Sequence, residues 1–229
     1  MAAFHAAWAA GACWVETDVQ PTADDALVLI HDDAVDRTTD GTGLVRALAR
    51  SALAALDAGA WFDVSFTGTR IPALQELLAE LTGGRRLLLE IKGEHTAEQV
   101  AAIVAAIRAA NAADRVFLQS FDVPVLRRLR AILPEEPIGL LVEIIGDDPV
   151  ADCHDLGAVT YNPDVAEVLR RPDVVAELHR AGIAIQPWFV NDPDQWAALT
   201  KLGVDGIITD DPGALLAWQS GRMAGRTET

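Results

Sequence analysis

Trp14-Val15-Glu16-Thr17-Asp18-Val19-Gln20 is followed by Leu27-Val28-Leu29-Ile30-His31-Asp32-Asp33 and then Asp36-Arg37-Thr38-Thr39-Asp40-Gly41-Thr42-Gly43. Val15, Thr17 and Val19 alternate with Glu16, Asp18 and Gln20. A strand with this pattern carries both carboxylates on one face, about 7 Å apart by strand rise. Pro21 to Asp25 is turn-prone, so the β-rich run Leu27 to Ile30 is expected to return antiparallel to the first strand. With the turn centred between Ala23 and Asp24, Glu16 stands opposite His31. Two hard oxygen ligands beside an imidazole suit a divalent cation with a general acid or base next to it.

Working outward, residues 3 to 10 read as a helix with Phe4, Ala7 and Trp8 on one face, ended by Gly11. Downstream, an Ala/Leu segment from Arg46 to Leu56 precedes Trp61-Phe62-Asp63-Val64-Ser65-Phe66, and three aromatics argue for a folded excursion rather than a linker. A helix is expected from Leu74 to about Leu81, after Pro72. A regular alternation then begins. Apolar runs suited to buried parallel strands occur at Leu87 to Lys92, Val116 to Ser120, Ile138 to Val142, Ala158 to Tyr161, Ile183 to Val190 and Gly206 to Thr209. Helical spacing separates them, at Glu98 to Ala110 and at Val165 to Ala181. Strict alternation without a glycine-rich dinucleotide fingerprint predicts an α/β fold, a closed TIM (β/α)8-type barrel rather than an open sheet.

Chemistry in such a barrel sits at the C-terminal ends of the strands. Glu90 and Lys92 end one strand on a common face, Gln119 and Ser120 end the next, Trp188 and Asn191 end a later one, and Asp210 and Asp211 follow the last. Glu16, Asp18 and Glu90 together offer three carboxylates to one Mg²⁺ or Ca²⁺.

Composition narrows the function classes. With 229 residues, 51% of them hydrophobic, one globular domain with a large core is expected. A net charge of -16 repels nucleic acid and anionic membrane surfaces, so neither is expected as the main partner. A phosphate-bearing substrate therefore needs a local cation. Cys13 and Cys153 read as free thiols of a reducing, cytoplasmic compartment. The opening Met-Ala-Ala-Phe-His lacks a basic n-region and reads as helix rather than signal peptide, and no run approaches the roughly 18 apolar residues of a membrane span.

The first stretch, together with Leu89-Glu90-Ile91-Lys92, Gln119-Ser120-Phe121, Trp188-Phe189-Val190-Asn191 and Gly203-Val204-Asp205-Gly206-Ile207-Ile208-Thr209-Asp210-Asp211-Pro212, resembles the signature of the glycerophosphodiester phosphodiesterase family. The resemblance runs from the first residues to about Pro212. It implies a TIM barrel with a small insertion over roughly residues 33 to 70, and metal-dependent hydrolysis of glycerophosphodiesters to an alcohol and sn-glycerol 3-phosphate. Carried over by position, Glu16, Asp18 and Glu90 correspond to metal ligands and His31 to one of two catalytic histidines. Lys92 corresponds to a phosphate contact and Trp188 to an aromatic lining the substrate pocket; Gln119, within a matching motif, joins them as a substrate-binding candidate.

The family's opening His-Arg-Gly strand has no counterpart in residues 1 to 229, which begin inside the first helix. On that reading the first barrel strand and its histidine are missing, activity is impaired, and edges at the Glu16 and Gly206 strands invite a homo-oligomer. Two other readings share the motifs: a non-catalytic barrel that binds metal or phosphodiester, and a related phospholipase-type phosphodiesterase, for which no exposed apolar or basic stretch is evident.

Overall fold

The computed structural model describes residues 1–224. Two compact units make up the chain, one formed by Met1–His5 with Trp14–Pro134 and the other by Ala6–Cys13 with the residues from Glu135 onward. Helix α1 (Ala2–Ala9) contributes its first residues to one unit and the rest to the other, and buries Phe4.

In the first unit, strand β1 (Trp14–Pro21) pairs antiparallel with β2 (Leu27–Leu29) and parallel with β3 (Arg86–Ile91), which in turn pairs parallel with β4 (Val116–Ser120). The short helices α2 (Arg50–Leu53) and α3 (Leu74–Leu78) precede β3, and α4 (Ala97–Ala109) and α5 (Val123–Ile132) follow β3 and β4. Each longer helix begins where its sequence dictates. Thr96 and Gln99 form a capping box on α4, and Asp122 accepts from the Val125 N–H at the start of α5. On β3, Leu87, Leu89 and Ile91 are fully buried and alternate with Leu88 and Glu90, and Lys92 follows just past the strand's end.

The hairpin register differs from the expected one. Val19 pairs with Leu29, Gln20 with Val28 and Pro21 with Leu27, which centres the turn on Asp24. Asp25 adopts a positive φ of 56, closing a three-residue loop instead of a two-residue one, and the pairing slips by one residue. Glu16 therefore does not stand opposite His31; the same register continues in an Ile30 N–H bond to the Asp18 carbonyl at 3.2 Å, which leaves Thr17 in line with His31.

Residues 33 to 70 fold around a small core that they share with β2 and flanking residues. Val35, Val45 and Leu53 pack with Val28, Ile30 and Ile71, all buried. The Asp57 carboxylate ties the distal loop together by accepting from the N–H groups of Gly59, Ala60 and Gly68. Gly59 must be glycine, because a Cβ there would lie 2.1 Å from the Phe66 carbonyl oxygen. The aromatics do not enter this core. Trp61, Phe62 and Phe66 are exposed and stack on one another edge-on or tilted, with centroids 5.8 Å apart in each pair. An exposed apolar stretch thus exists where none was evident from sequence.

In the second unit, β5 (Ile138–Val142), β6 (Thr160–Pro163) and β7 (Ala184–Ile185) pair in parallel, with α6 (Pro149–Leu156) between the first two. The expected helix over residues 165 to 181 is two helices, α7 (Val165–Arg170) and α8 (Val174–Arg180). Pro172 is the cause, since it excludes helical geometry from Arg171 before it. The expected strand from Ile183 to Val190 is regular only over Ala184–Ile185; Pro187, which lacks an N–H, breaks it, although Gln186 still donates to the Tyr161 carbonyl and Trp188 bridges to Asp164 beyond the break. Residues 206 to 209 form no regular strand, although Val190 donates to the Ile208 carbonyl and Ile208 to the Pro187 carbonyl. Helices α9 (Pro193–Leu202) and α10 (Pro212–Ala224) complete the unit, packing Trp196 against Trp218 at 5.8 Å. No helix among the described residues is long and apolar enough to cross a membrane.

If the 33–70 core is an integral part of the fold, Leu53→Ala, at a fully buried position, should lower unfolding free energy by about 2–5 kcal/mol in urea titration. Val64→Ala, at a position 81% exposed, should change it by less than about 0.5 kcal/mol.

Candidate active site

Strand register builds the site. Asp18 lies beside Glu90 in the β1–β3 pairing, and Glu90 lies beside Gln119 in the β3–β4 pairing, so the three side chains form one row across neighbouring strands. Residues level in a parallel ladder point to the same face, with strands about 4.8 Å apart. Glu16 sits two residues earlier on the same face of β1, and Lys92 two residues beyond Glu90. The outcome is that one carboxylate oxygen from each of Glu16, Asp18 and Glu90 falls within 4.8 Å of the other two.

Two members of this crowded, poorly hydrated cluster, Glu16 and Glu90, resist ionisation. Burial, then the charges of Asp18 and Glu90, raise the Glu16 carboxyl well above the ordinary range, against a hydrogen bond from the Gln119 amide that favours its anion. Burial and the Asp18 charge push Glu90 up to about 7. Lys92 is the internal counterion: its Nζ lies 3.2 Å from Asp18 Oδ1 and 3.6 Å from Glu90 Oε1. Burial alone would depress this ammonium, yet the surrounding carboxylates outweigh it and raise its pKa. Three negative charges against one positive leave a surplus of two when all are ionised. A single divalent cation matches that surplus, and the all-oxygen donor set suits a hard ion such as Mg²⁺ or Ca²⁺.

His31 joins the cluster through Lys92, although it is not opposite Glu16 in a ladder. Its Nε2 is 3.0 Å from Lys92 Nζ and its Nδ1 is 2.8 Å from Asp32 Oδ1. An ammonium can only donate, so Nε2 accepts and Nδ1 carries the proton donated to Asp32. Gln20, buried on the same face of β1 as Glu16 and Asp18, anchors the loop that presents His31. Its Nε2 donates to the carbonyls of Ile30, His31 and Asp32 at 3.0, 3.1 and 2.9 Å. Alternation along β1 puts Gln20 on that face, and Asp32 and Arg37 lie in the motif that follows, but none of the three shows its task in the sequence alone. The adjacency of an acid to the histidine was the available signal.

Among the expected site residues, Glu16, Asp18, His31, Glu90, Lys92 and Gln119 converge in the first unit. Trp188 belongs to the second, beyond β7, where its indole N–H donates to the Asn162 carbonyl at 2.9 Å and its ring meets Phe189 edge-on. Asn191 is engaged with its own neighbours, donating to Asp210 Oδ2 at 2.6 Å and accepting from Thr209 and the Asp210 N–H. The other histidines serve elsewhere: His5 meets Glu80, His179 meets Asp205, His154 lies in α6, and His95 is buried against the Gly93 carbonyl, burial depressing it to about 4.

Residues 1–214 match the Glycerophosphoryl diester phosphodiesterase family. A glycerophosphodiester phosphodiesterase of Caldanaerobacter subterraneus subsp. tengcongensis is 36% identical over 220 residues, covering 94% of this chain and 89% of that one. Among solved structures, a glycerophosphodiester phosphodiesterase from Agrobacterium tumefaciens superimposes with a TM-score of 0.83 at 30% identity, over 94% of this chain and 91% of its own. An Oleispira antarctica phosphodiesterase in complex with the product sn-glycerol-3-phosphate gives a TM-score of 0.86 at 25% identity, over 96% and 90%. The fold is the TIM-barrel type of these relatives, as the alternation of strands and helices implies, but the expected closure is not seen: among the described residues the last strand does not pair back onto the first.

The carboxyl shifts carry a sign. A carboxyl raised to about 7 keeps its proton in the folded protein while the unfolded chain has released it, so without metal this group costs stability increasingly as pH rises from 4.5 towards 7. A bound dication reverses the preference. Calorimetric titration with Mg²⁺ or Ca²⁺ should therefore show proton release below pH 7, revealed by buffers of different ionisation enthalpy, and tighter binding above it.

Proposed function

Since the chain belongs to the glycerophosphoryl diester phosphodiesterase family, we propose that it hydrolyses glycerophosphodiesters to an alcohol and sn-glycerol 3-phosphate, dependent on a divalent cation held by Glu16, Asp18 and Glu90. The observation that carries this reading is the three-carboxylate cluster with an imidazole joined to it through a lysine. When bound, the cation would neutralise non-bridging phosphoryl oxygens and favour ionisation of the attacking oxygen.

The chain's own groups have the remaining tasks. Water adds its oxygen to phosphorus, the bond from phosphorus to the alcohol oxygen breaks, and one proton must travel from the former oxygen to the latter. His31 Nε2, an acceptor at rest, can take a proton at one stage and return it at another. Lys92 provides the positive charge that a phosphodiester anion needs in a chain of net charge -16. Gln119 fixes the Glu16 carboxylate by its hydrogen bond, and Trp188 is proposed to line the substrate pocket. Mg²⁺ and Ca²⁺ both fit the donor chemistry; Ca²⁺ tolerates the less regular geometry. Two unpaired thiols, exposed Cys13 and buried Cys153, support a reducing, cytoplasmic setting.

Hydrolysis of glycerophosphocholine, followed by release of glycerol phosphate, tests the reading. Turnover should require Mg²⁺ or Ca²⁺, stop with EDTA, vanish in Glu16→Ala together with calorimetric metal binding, and fall about 10²–10⁴-fold in His31→Ala. Metal and substrate binding by the native chain without turnover would replace the enzyme with a binding barrel.

A further inference from the structure

The mechanism above uses His31 and leaves its neighbours unexplained. Asp32 accepts from His31 Nδ1 at 2.8 Å through Oδ1, and Arg37 grips both oxygens of that carboxylate, Nη2 to Oδ1 at 2.7 Å and Nε to Oδ2 at 2.6 Å. Arg37 in turn lies over the Trp61 ring, its guanidinium carbon 5.8 Å from the centroid. His31 is largely exposed, its side chain at 55% of full accessibility. An exposed imidazole left to itself samples several rotamers and both neutral tautomers. A two-pronged Arg–carboxylate pair has one geometry and low freedom.

We propose that Asp32 is a positioning residue that fixes the His31 ring with Nε2 turned towards Lys92 and the carboxylate cluster, and that Arg37 is the clasp that immobilises Asp32. Three independent features support it. The hydrogen-bond polarity is consistent along the whole line, Lys92 donating to Nε2, Nδ1 to Asp32, and Arg37 to Asp32. The backbone of the same loop is already held, since Gln20 donates to the His31 and Asp32 carbonyls. Asp32 also stays anionic: the hydrogen bonds from Arg37 outweigh the opposing effect of burial and, with the bond from His31, hold its carboxyl well below the usual range. An anion at Nδ1 favours the ring orientation needed before proton transfer and the charged imidazolium formed during it. The clasp belongs to residues 33 to 70, so this segment, remote from the metal ligands in sequence, contributes to the orientation of the proton-transfer group.

The proposal rests on His31 acting in the hydrolysis put forward above, and the two are separable by experiment. In the native chain the His31 Nδ1 proton should be visible by NMR as a downfield resonance in slow exchange with water. Asp32→Ala should abolish that resonance, and Arg37→Leu should broaden it while leaving Asp32 in place. In steady-state hydrolysis of glycerophosphocholine, Asp32→Ala should lower kcat about 10–100-fold with little change in KM, Arg37→Leu less, and Arg37→Lys should recover only part, because an ammonium cannot grip both oxygens. An unchanged Nδ1 resonance in both Asp32→Ala and Arg37→Leu would overturn the proposal. So would a rise in KM at constant kcat, which would make Asp32 a substrate contact. If the native chain hydrolyses nothing, the resonance alone still decides the positioning role, and the failure falls on the hydrolase reading.

Discussion

Mutual repulsion of three carboxylates within 4.8 Å is the constraint on which this structure depends. At such separations each ionised pair repels by a few kcal/mol even at an effective dielectric of about 20. A fold holding all three together must answer with compensating charge, with retained protons, or with both. The chain does both: Lys92 reaches into the cluster, and Glu16 and Glu90 hold their protons to unusually high pH. The rigidity needed to impose such proximity comes from the parallel ladder, in which Asp18, Glu90 and Gln119 are level across β1, β3 and β4. Side chains on loops could swing apart; residues two apart on a paired strand cannot.

The strands were legible where the physics is local. Leu87 to Ile91 is a continuous apolar run broken only by Glu90, and burial on both faces requires that composition. The Glu16/Asp18 face was legible for a similar reason, since alternation on one strand needs no partner. Their gathering with Glu90 followed from their place at strand ends; the level register of Asp18, Glu90 and Gln119 did not, because it links segments separated by about seventy and thirty residues, and no local pattern encodes it. The hairpin shows how small the deciding feature can be. One residue, Asp25, in a left-handed conformation lengthens the turn and moves Glu16 out of line with His31. His31 still reaches the cluster because the connection runs through Lys92, two residues past Glu90.

A side chain can have two uses. Trp61, Phe62 and Phe66 mark a folded excursion, and the segment is folded, but its core is aliphatic and the aromatics lie outside it, one of them beneath Arg37. Pro172 was visible inside the helical pattern of residues 165 to 181, and its restriction on the preceding residue outweighed a periodicity continuing on both sides.

Acidic residues at strand ends pose the same ambiguity, and the structure resolves it by what each carboxylate serves. Asp122, Asp148, Asp164 and Asp192 each follow a strand and accept from a backbone N–H in the first turn of the next helix. That is ordinary capping, favoured further by the positive end of the helix dipole. Repeated through a βα architecture, it contributes to the net charge of -16 without implying a binding site. Glu16, Asp18 and Glu90 differ in lying on strand faces, directed at one another and at Lys92 rather than at a helix terminus. Asp32 is a third case, adjacent to a histidine and held by an arginine. A strand-end acid that answers no backbone donor and instead meets a second acid, an imidazole or a lysine is the one whose presence the fold alone does not explain.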